Sequence, residues 1–206
     1  MNLLTSLLKN KIILEIGCNT GKITTQIAKY NPNRIIAIDN DLKHLNIANK
    51  IETTFIKNKV KFLKINFFKK KDLKKVKIKF DVIIIRHIFN SFSYETNKKI
   101  IYNLEEKLKK NGAFLIIDFY KKIILRQLFL SLIRFNITSG IKTCINSLKK
   151  DSFIRDKKNI NKYFNKSYNA KIFNKDFFNK HENKLIKIVN FIFNCSYTMV
   201  IKKNDN

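Results

Sequence analysis

Apolar residues occur along this chain in short continuous runs separated by stretches of helical spacing, and that alternation predicts parallel strands joined by helices. Ile12 to Ile16 is apolar except for Glu15 and closes at Gly17, the pattern of a strand buried on both faces. Ile23, Ile27 and Ala28 then recur on one helical face. Arg34 to Asp39 predicts a second buried strand, and Asp41 to Ile51 a helix carrying Leu42, Leu45, Ile47 and Ala48. Val60 to Phe67 alternates imperfectly and predicts a third strand, followed by a lysine-rich connection over residues 68–79. Phe80 to Ile85 is the strongest strand pattern in the chain. Glu95 to Lys110 predicts an amphipathic helix with Ile100, Ile101, Leu104 and Leu108 inward, and Ala113 to Phe119 a fifth strand. Near the end, Phe173 to His181 reads as a helix, Leu185 to Phe193 as a sixth strand and Ser196 to Lys202 as a seventh. The two-residue link Asn194-Cys195 implies an antiparallel hairpin between the last two.

The first strand-to-helix turn carries the most information. It reads Gly17-Cys18-Asn19-Thr20-Gly21 and holds two of the 4 glycines in the chain. Glycine there lets the backbone take positive φ and lets a ligand approach, with the amides of the next helix facing the crevice. Leu14-Glu15-Ile16-Gly17-Cys18-Asn19-Thr20-Gly21 resembles the first motif of class I S-adenosylmethionine-dependent methyltransferases. Asn19 stands where that family usually has the middle glycine, and asparagine tolerates left-handed backbone better than most residues. Leu108 to Asp118 is similar to the family's Leu-Lys-Pro-Gly-Gly-x-Leu-x-Ile-x-Asp, with the proline and one glycine replaced. The resemblance covers residues 11–120 and 172–203. It implies an α/β, doubly wound, Rossmann-like, mostly parallel seven-stranded sheet with an antiparallel last strand. It also implies S-adenosylmethionine as cofactor.

Carried over residue by residue, the resemblance gives Glu15 to the methionine ammonium group. Gly17, Cys18, Asn19 and Gly21 become the backbone cradle. Asp39 ends the second strand about twenty residues after the glycine turn, where a carboxylate accepts hydrogen bonds from ribose hydroxyls. The alternative is that Asp39 caps the helix after it. The family's adenine contact near the end of the third strand falls on Asn66, whose side-chain carbonyl is a suitable acceptor. Phe67 either flanks the adenine ring or simply packs. Arg86 and His87 leave the fourth strand at its carboxyl end, facing the crevice. His87 is either a general base or a histidine packed in the crevice wall. Arg86 pairs either with an anionic substrate or with a nearby carboxylate. Asp118 and Tyr120 leave the fifth strand at the same end and are candidates for substrate contact.

Length fits one domain over residues 1–206, with residues 121–170 inserted after the fifth strand. The first half of that insertion is helical in pattern and the second basic and tyrosine-rich. It reads either as a lid over the acceptor or as helices completing the core. No apolar run approaches ~20 residues, so no membrane span is expected. Met1 to Lys9 reads as a short amphipathic helix rather than a signal peptide. Cys18, Cys144 and Cys195 have no metal-ligand spacing, which suggests free thiols in a reducing cytoplasm and no metal.

The net charge of +28 invites a nucleic-acid reading, but arginine occurs only at 34, 86, 126, 134 and 155. Specific nucleic-acid sites favour arginine. Lys, Asn and Ile make up about half the chain, the bias of an AT-rich genome. There is no Asn/Asp-Pro-Pro-Tyr motif, since Pro32 is the single proline, and no cysteine at a strand end to attack a pyrimidine. These observations favour a small or lipid-like acceptor, such as a quinone precursor or a carboxylate. RNA or tRNA methylation is the alternative, and a binding protein that keeps the fold without turnover is a third. The sequence leaves the oligomeric state open.

Overall fold

The computed structural model describes residues 3–51, 58–119, 163–164, 168–173 and 196–203. A short helix α1 (Leu3–Leu8) precedes β1 (Ile12–Ile16), α2 (Lys22–Ala28), β2 (Arg34–Asp39), α3 (Leu42–Ala48) and β3 (Val60–Lys64). The chain continues through α4 (Lys70–Leu73), β4 (Phe80–Arg86), a 3-10 turn (Phe89–Ser91), α5 (Tyr94–Glu105) and β5 (Leu108–Phe119). Two further strands, β6 (Tyr168–Phe173) and β7 (Ser196–Lys203), complete one seven-stranded sheet ordered β3-β2-β1-β4-β5-β7-β6. Strands β3, β2, β1, β4 and β5 pair in parallel, and β7 runs antiparallel to both β5 and β6. The doubly wound α/β expectation holds. Among the described residues no helix is long and apolar enough to cross a membrane.

Both faces of the central strands are covered, which is why β1, β2 and β4 read as nearly continuous apolar runs. Leu14, Ile16, Ile36, Ile38, Ile83 and Ile85 pack with α4 and α5 through Leu73, Ile100, Ile101 and Leu104. Ile13, Ile35, Ala37, Val82 and Ile84 face the other way, against Leu4 and Leu8 of α1, Ile27 of α2 and Leu45 of α3. Each such aliphatic side chain contributes about 1.5–3 kcal/mol on burial. β3 lies at the sheet edge and is only partly covered, hence its imperfect alternation.

Several boundaries differ from the sequence reading; β3 stops at Lys64 rather than Phe67, and α3 at Ala48 rather than Ile51. Helix α5 ends at Glu105, and Leu108 belongs to β5, paired with Phe80. Leu108 sits four residues after Leu104 and so mimics a helical position. The register then jumps from the Phe80–Leu108 pair to Val82–Ala113, a bulge that folds Gly112 onto Leu108. A Cβ on Gly112 would lie 2.6 Å from Leu108 Cγ, so the bulge needs glycine for space.

The strand beside β7 is Tyr168–Phe173, and not Leu185–Phe193, which lies outside the described residues, as does the helix expected after Phe173. Residues 174–195 connect β6 to β7, so the link is not a two-residue hairpin. As an edge strand β6 exposes Asn169, Ala170 and Lys171, which hides it from a hydrophobic pattern. It also takes residues 168–170 out of the expected insertion. Of the rest, Tyr163 and Phe164 are described, and both are buried. Tyr163 stacks on Phe89 with centroids 5.8 Å apart, and Phe164 packs on Phe114 at 5.4 Å.

Gly21, which opens α2, has φ 77°, and a Cβ there would meet Ile51 at 2.9 Å, Phe62 at 3.1 Å and Ala48 at 3.2 Å. Strained backbone and overpacking add, so Gly21→Ala is expected to cost about 2 kcal/mol in urea unfolding.

Candidate functional site

Three strands of the parallel sheet deliver charged side chains to one face at their carboxyl ends. Along β1 the residues facing α1 and α2 are Ile13 and then Glu15. Along β2 they are Ile35, Ala37 and Asp39, and along β4 Val82, Ile84 and Arg86. Glu15 and Asp39 are both buried, so apolar alternation that builds the core lower down ends here in carboxylates.

The turn between β1 and α2 takes left-handed backbone three times, at Gly17 (φ 69°), Asn19 (φ 51°) and Gly21 (φ 77°). The asparagine in place of the middle glycine adopts the conformation expected of it, and its Oδ1 accepts from Thr20 N–H at 2.7 Å. Gly17 N–H and Cys18 N–H donate to Ile38 C=O at 2.8 and 3.0 Å, fixing the turn to the end of β2. The space at Gly21 is bordered by Ala48 of α3, Ile51 after it and Phe62 of β3, so packing as well as backbone conformation calls for glycine there. Cys18 is buried, and burial beside Glu15 and Asp39 pushes its thiol well above the usual range, which disfavours the thiolate.

Asp39 does not cap α3; Asp41 does, accepting from Lys43 N–H at 2.8 Å. Asp39 instead accepts from Asn19 N–H through Oδ2 at 2.8 Å and from Asp41 N–H through Oδ1 at 2.9 Å. It is therefore the clasp between the two turns that border the crevice. Each oxygen keeps a further lone pair. Asn66 is half-buried at the end of β3, with Oδ1 accepting from Phe68 N–H at 3.0 Å. Phe67 belongs to the buried core, and Phe68 beside it is the more open ring, edge-on to Phe92 at 4.8 Å.

Glu15 is 3% exposed and accepts from Thr24 Oγ1 at 2.5 Å. Burial pushes its carboxyl up to about 7, opposed by the Thr24 hydroxyl and the Arg86 charge and reinforced by Asp39. A carboxyl raised in the folded chain from an ordinary value near 4.5 contributes its full share of stability below pH 4.5 and loses it as pH rises through 7. Urea unfolding of the ligand-free chain is therefore expected to show about 3 kcal/mol less stability at pH 8 than at pH 4.5 from this group. Glu15→Gln, which keeps an acceptor for Thr24, is expected to flatten that slope.

The second half of the site lies across β4 and β5. Pairing of Arg86 with Ile117 sets His87 beside Asp118. His87 takes φ 54° and donates its N–H to Ile117 C=O at 2.9 Å. That posture brings Nδ1 to 4.0 Å from Asp118 Oδ1, with the His87 side chain 22% exposed and the Asp118 side chain 1%. The sequence named both residues, one as a base and one as a substrate contact, but did not join them. Arg86 is half-buried and its charge reaches Glu15, which links the two halves electrostatically. Tyr120 lies outside the described residues.

Two supporting residues escaped the sequence reading. Thr24 is the partner of Glu15. Asn97 of α5 is fully buried, and its Nδ2 donates to Phe89 C=O at 2.9 Å and Phe92 C=O at 3.2 Å, pinning the loop after His87. The signal was the same in both cases, a polar residue on an apolar helix face. Thr24 precedes Ile27 and Ala28, and Asn97 precedes Ile100 and Ile101, at spacings of three and four. Asn97→Ala should loosen that loop and cost about 1–3 kcal/mol, read as a fall in urea midpoint.

Comparison with known proteins gives the family and the fold. A family described as "Methyltransferase domain" matches residues 7–181. O-methyltransferase bik3 of Gibberella fujikuroi is 26% identical over 112 residues, 52% of this chain; the chain spans 24% of that relative's length. The plantazolicin methyltransferase BamL, solved with a triazolic desmethylPZN analogue and SAH, superposes with TM-score 0.66 at 14% identity. That match covers 98% of this chain and 80% of the other. An rRNA methylase from Streptococcus thermophilus superposes with TM-score 0.54 at 10% identity, covering 98% and 92%.

Proposed function

Because the chain belongs to the methyltransferase-domain family, with S-adenosylmethionine as its cofactor, we propose that it methylates oxygen or an acidic carbon of a small or lipid-like acceptor. The observation that carries this reading is the meeting of His87 and Asp118 at the carboxyl ends of adjacent strands. The cofactor fits the residues present. The positive-φ turn keeps the backbone open, Glu15 suits the ammonium group, and Asp39 suits the ribose diol with its remaining lone pairs. Asn66 keeps one lone pair for the adenine amino group. Phe67, buried in the core, supports the site from behind.

When bound, the cofactor supplies a methyl group on a sulfonium, an electrophile with a good leaving group. What the chain must add is an aligned, deprotonated nucleophile. His87 takes the proton from the acceptor, and the Asp118 carboxylate beside Nδ1 stabilises the imidazolium that forms. Arg86 orients an anionic acceptor. Of the expected insertion, Tyr163 and Phe164 pack in the core against Phe89 and Phe114, which supports its reading as a segment that completes the core.

Charge gives the RNA alternative little support. Among the described residues, lysine occurs on every helix from α2 to α5 and on β3, β5, β6 and β7, spread over the surface. The test is transfer of a labelled methyl group into a host-cell extract at moderate salt, followed by fractionation. Label in the organic-soluble or small-molecule fraction supports the proposal. Label in RNA overturns the acceptor class, and label in no fraction overturns the enzyme in favour of a binding protein.

A further inference from the structure

Glu15 raises a question that its burial does not answer. An anionic carboxylate at that depth is costly unless something holds it, and a neutral one cannot pair with a cation. The groups that face it are few. From α2 comes the Thr24 hydroxyl, from the end of β4 the Arg86 charge, from the end of β2 the Asp39 carboxylate, and from the turn the Cys18 thiol. On the same face α1 contributes Leu4, Leu7 and Leu8, and α3 Leu45 and Ala48, none of them titratable.

Thr24 is fully buried, and its Oγ1 lies 2.5 Å from Glu15 Oε2, leaving Oε1 with no hydrogen bond among those described. A hydroxyl both donates and accepts, so it satisfies the carboxyl in either state. When Glu15 is ionised, Thr24 donates to it; when Glu15 is protonated, the carboxyl O–H donates to Thr24. Valine, which has nearly the same shape, does neither.

We propose that Thr24 is a positioning residue for cofactor binding: it holds Glu15 with Oε1 toward the crevice and lets that carboxyl start protonated and end ionised, so capture of the ammonium group releases a proton. This rests on the reading that Glu15 pairs with the ammonium. The balance is simple. The carboxyl O–H bond breaks, the proton leaves to solvent, and the carboxylate pairs with a cation that keeps its own protons. The raised carboxyl of the free chain puts this exchange within the neutral range.

S-adenosylhomocysteine carries the same ammonium group and has no methyl to transfer, so binding is read without turnover. Calorimetric titrations between pH 5.5 and 7.5, in buffers of different ionisation enthalpy, measure affinity and proton release together. For the unaltered chain, affinity is expected to rise about twentyfold over that range, with nearly one proton released per ligand at pH 6. Thr24→Ser should keep this profile. Thr24→Val should shift its midpoint upward and weaken binding at pH 7 about tenfold, with the helical circular dichroism unchanged. A Thr24→Val profile that coincides with the unaltered one would overturn the role of Thr24. A flat profile without proton release in the unaltered chain would overturn the coupling. Glu15→Gln binding as tightly as the unaltered chain would instead remove Glu15 from the site, a failure of the underlying reading.

Discussion

His87→Ala is expected to lower the initial rate of labelled-methyl transfer into a host-cell extract by about 10²–10⁴-fold, the range of a lost general base. S-adenosylhomocysteine affinity should change by less than about threefold, because His87 follows β4 and bonds to β5 rather than standing on the cradle formed by β1 and β2. Asp118→Asn keeps the shape beside His87 and removes the charge. It should lower transfer less than His87→Ala does, since the base remains and only the partner of its imidazolium is lost. Transfer that survives both substitutions would mean that the acceptor arrives already ionised and that the pair is structural.

Asp39→Ala is expected to weaken S-adenosylhomocysteine binding at least tenfold and also to destabilise the chain. The two losses have separate causes. A carboxylate on a diol makes charge-assisted hydrogen bonds. The same carboxylate accepts from Asn19 N–H and Asp41 N–H, and hydrogen bonds to a charged group contribute about 1.5–3 kcal/mol each at most. Urea unfolding separates these effects from binding. Asp39→Asn retains one acceptor oxygen, so it should recover much of the stability while still binding weakly.

Legibility in the sequence followed burial. β1, β2 and β4 were plain because strands covered on both faces leave continuous apolar runs. β6 was hidden because an edge strand tolerates Asn169, Ala170 and Lys171, while the apolar 185–193 stretch looked the better strand. α5 ran too far in the reading because Leu108 keeps helical spacing although it pairs with Phe80.

At the site, single residues were legible and their partnerships were not. The turn glycines, Asp39 and His87 could be named from motif and strand end. That Asp39 clasps Asn19 depends on how the two turns meet in space. That His87 meets Asp118 depends on the register of β4 against β5, which a bulge at Gly112 sets and no local pattern announces. The motif names Gly21, but its packing against Ile51, Phe62 and Ala48 is visible only in the fold.

The central claim is that the turn after β1 and the carboxylate ending β2 form one cofactor site. Titration calorimetry of the chain with S-adenosylhomocysteine at pH 7.5 tests it most directly. The expected result is saturable binding at one site per chain, displaced by S-adenosylmethionine and weakened at least tenfold by Asp39→Asn. A folded chain that takes up no ligand at millimolar concentration, or that binds equally well without the Asp39 charge, would contradict it.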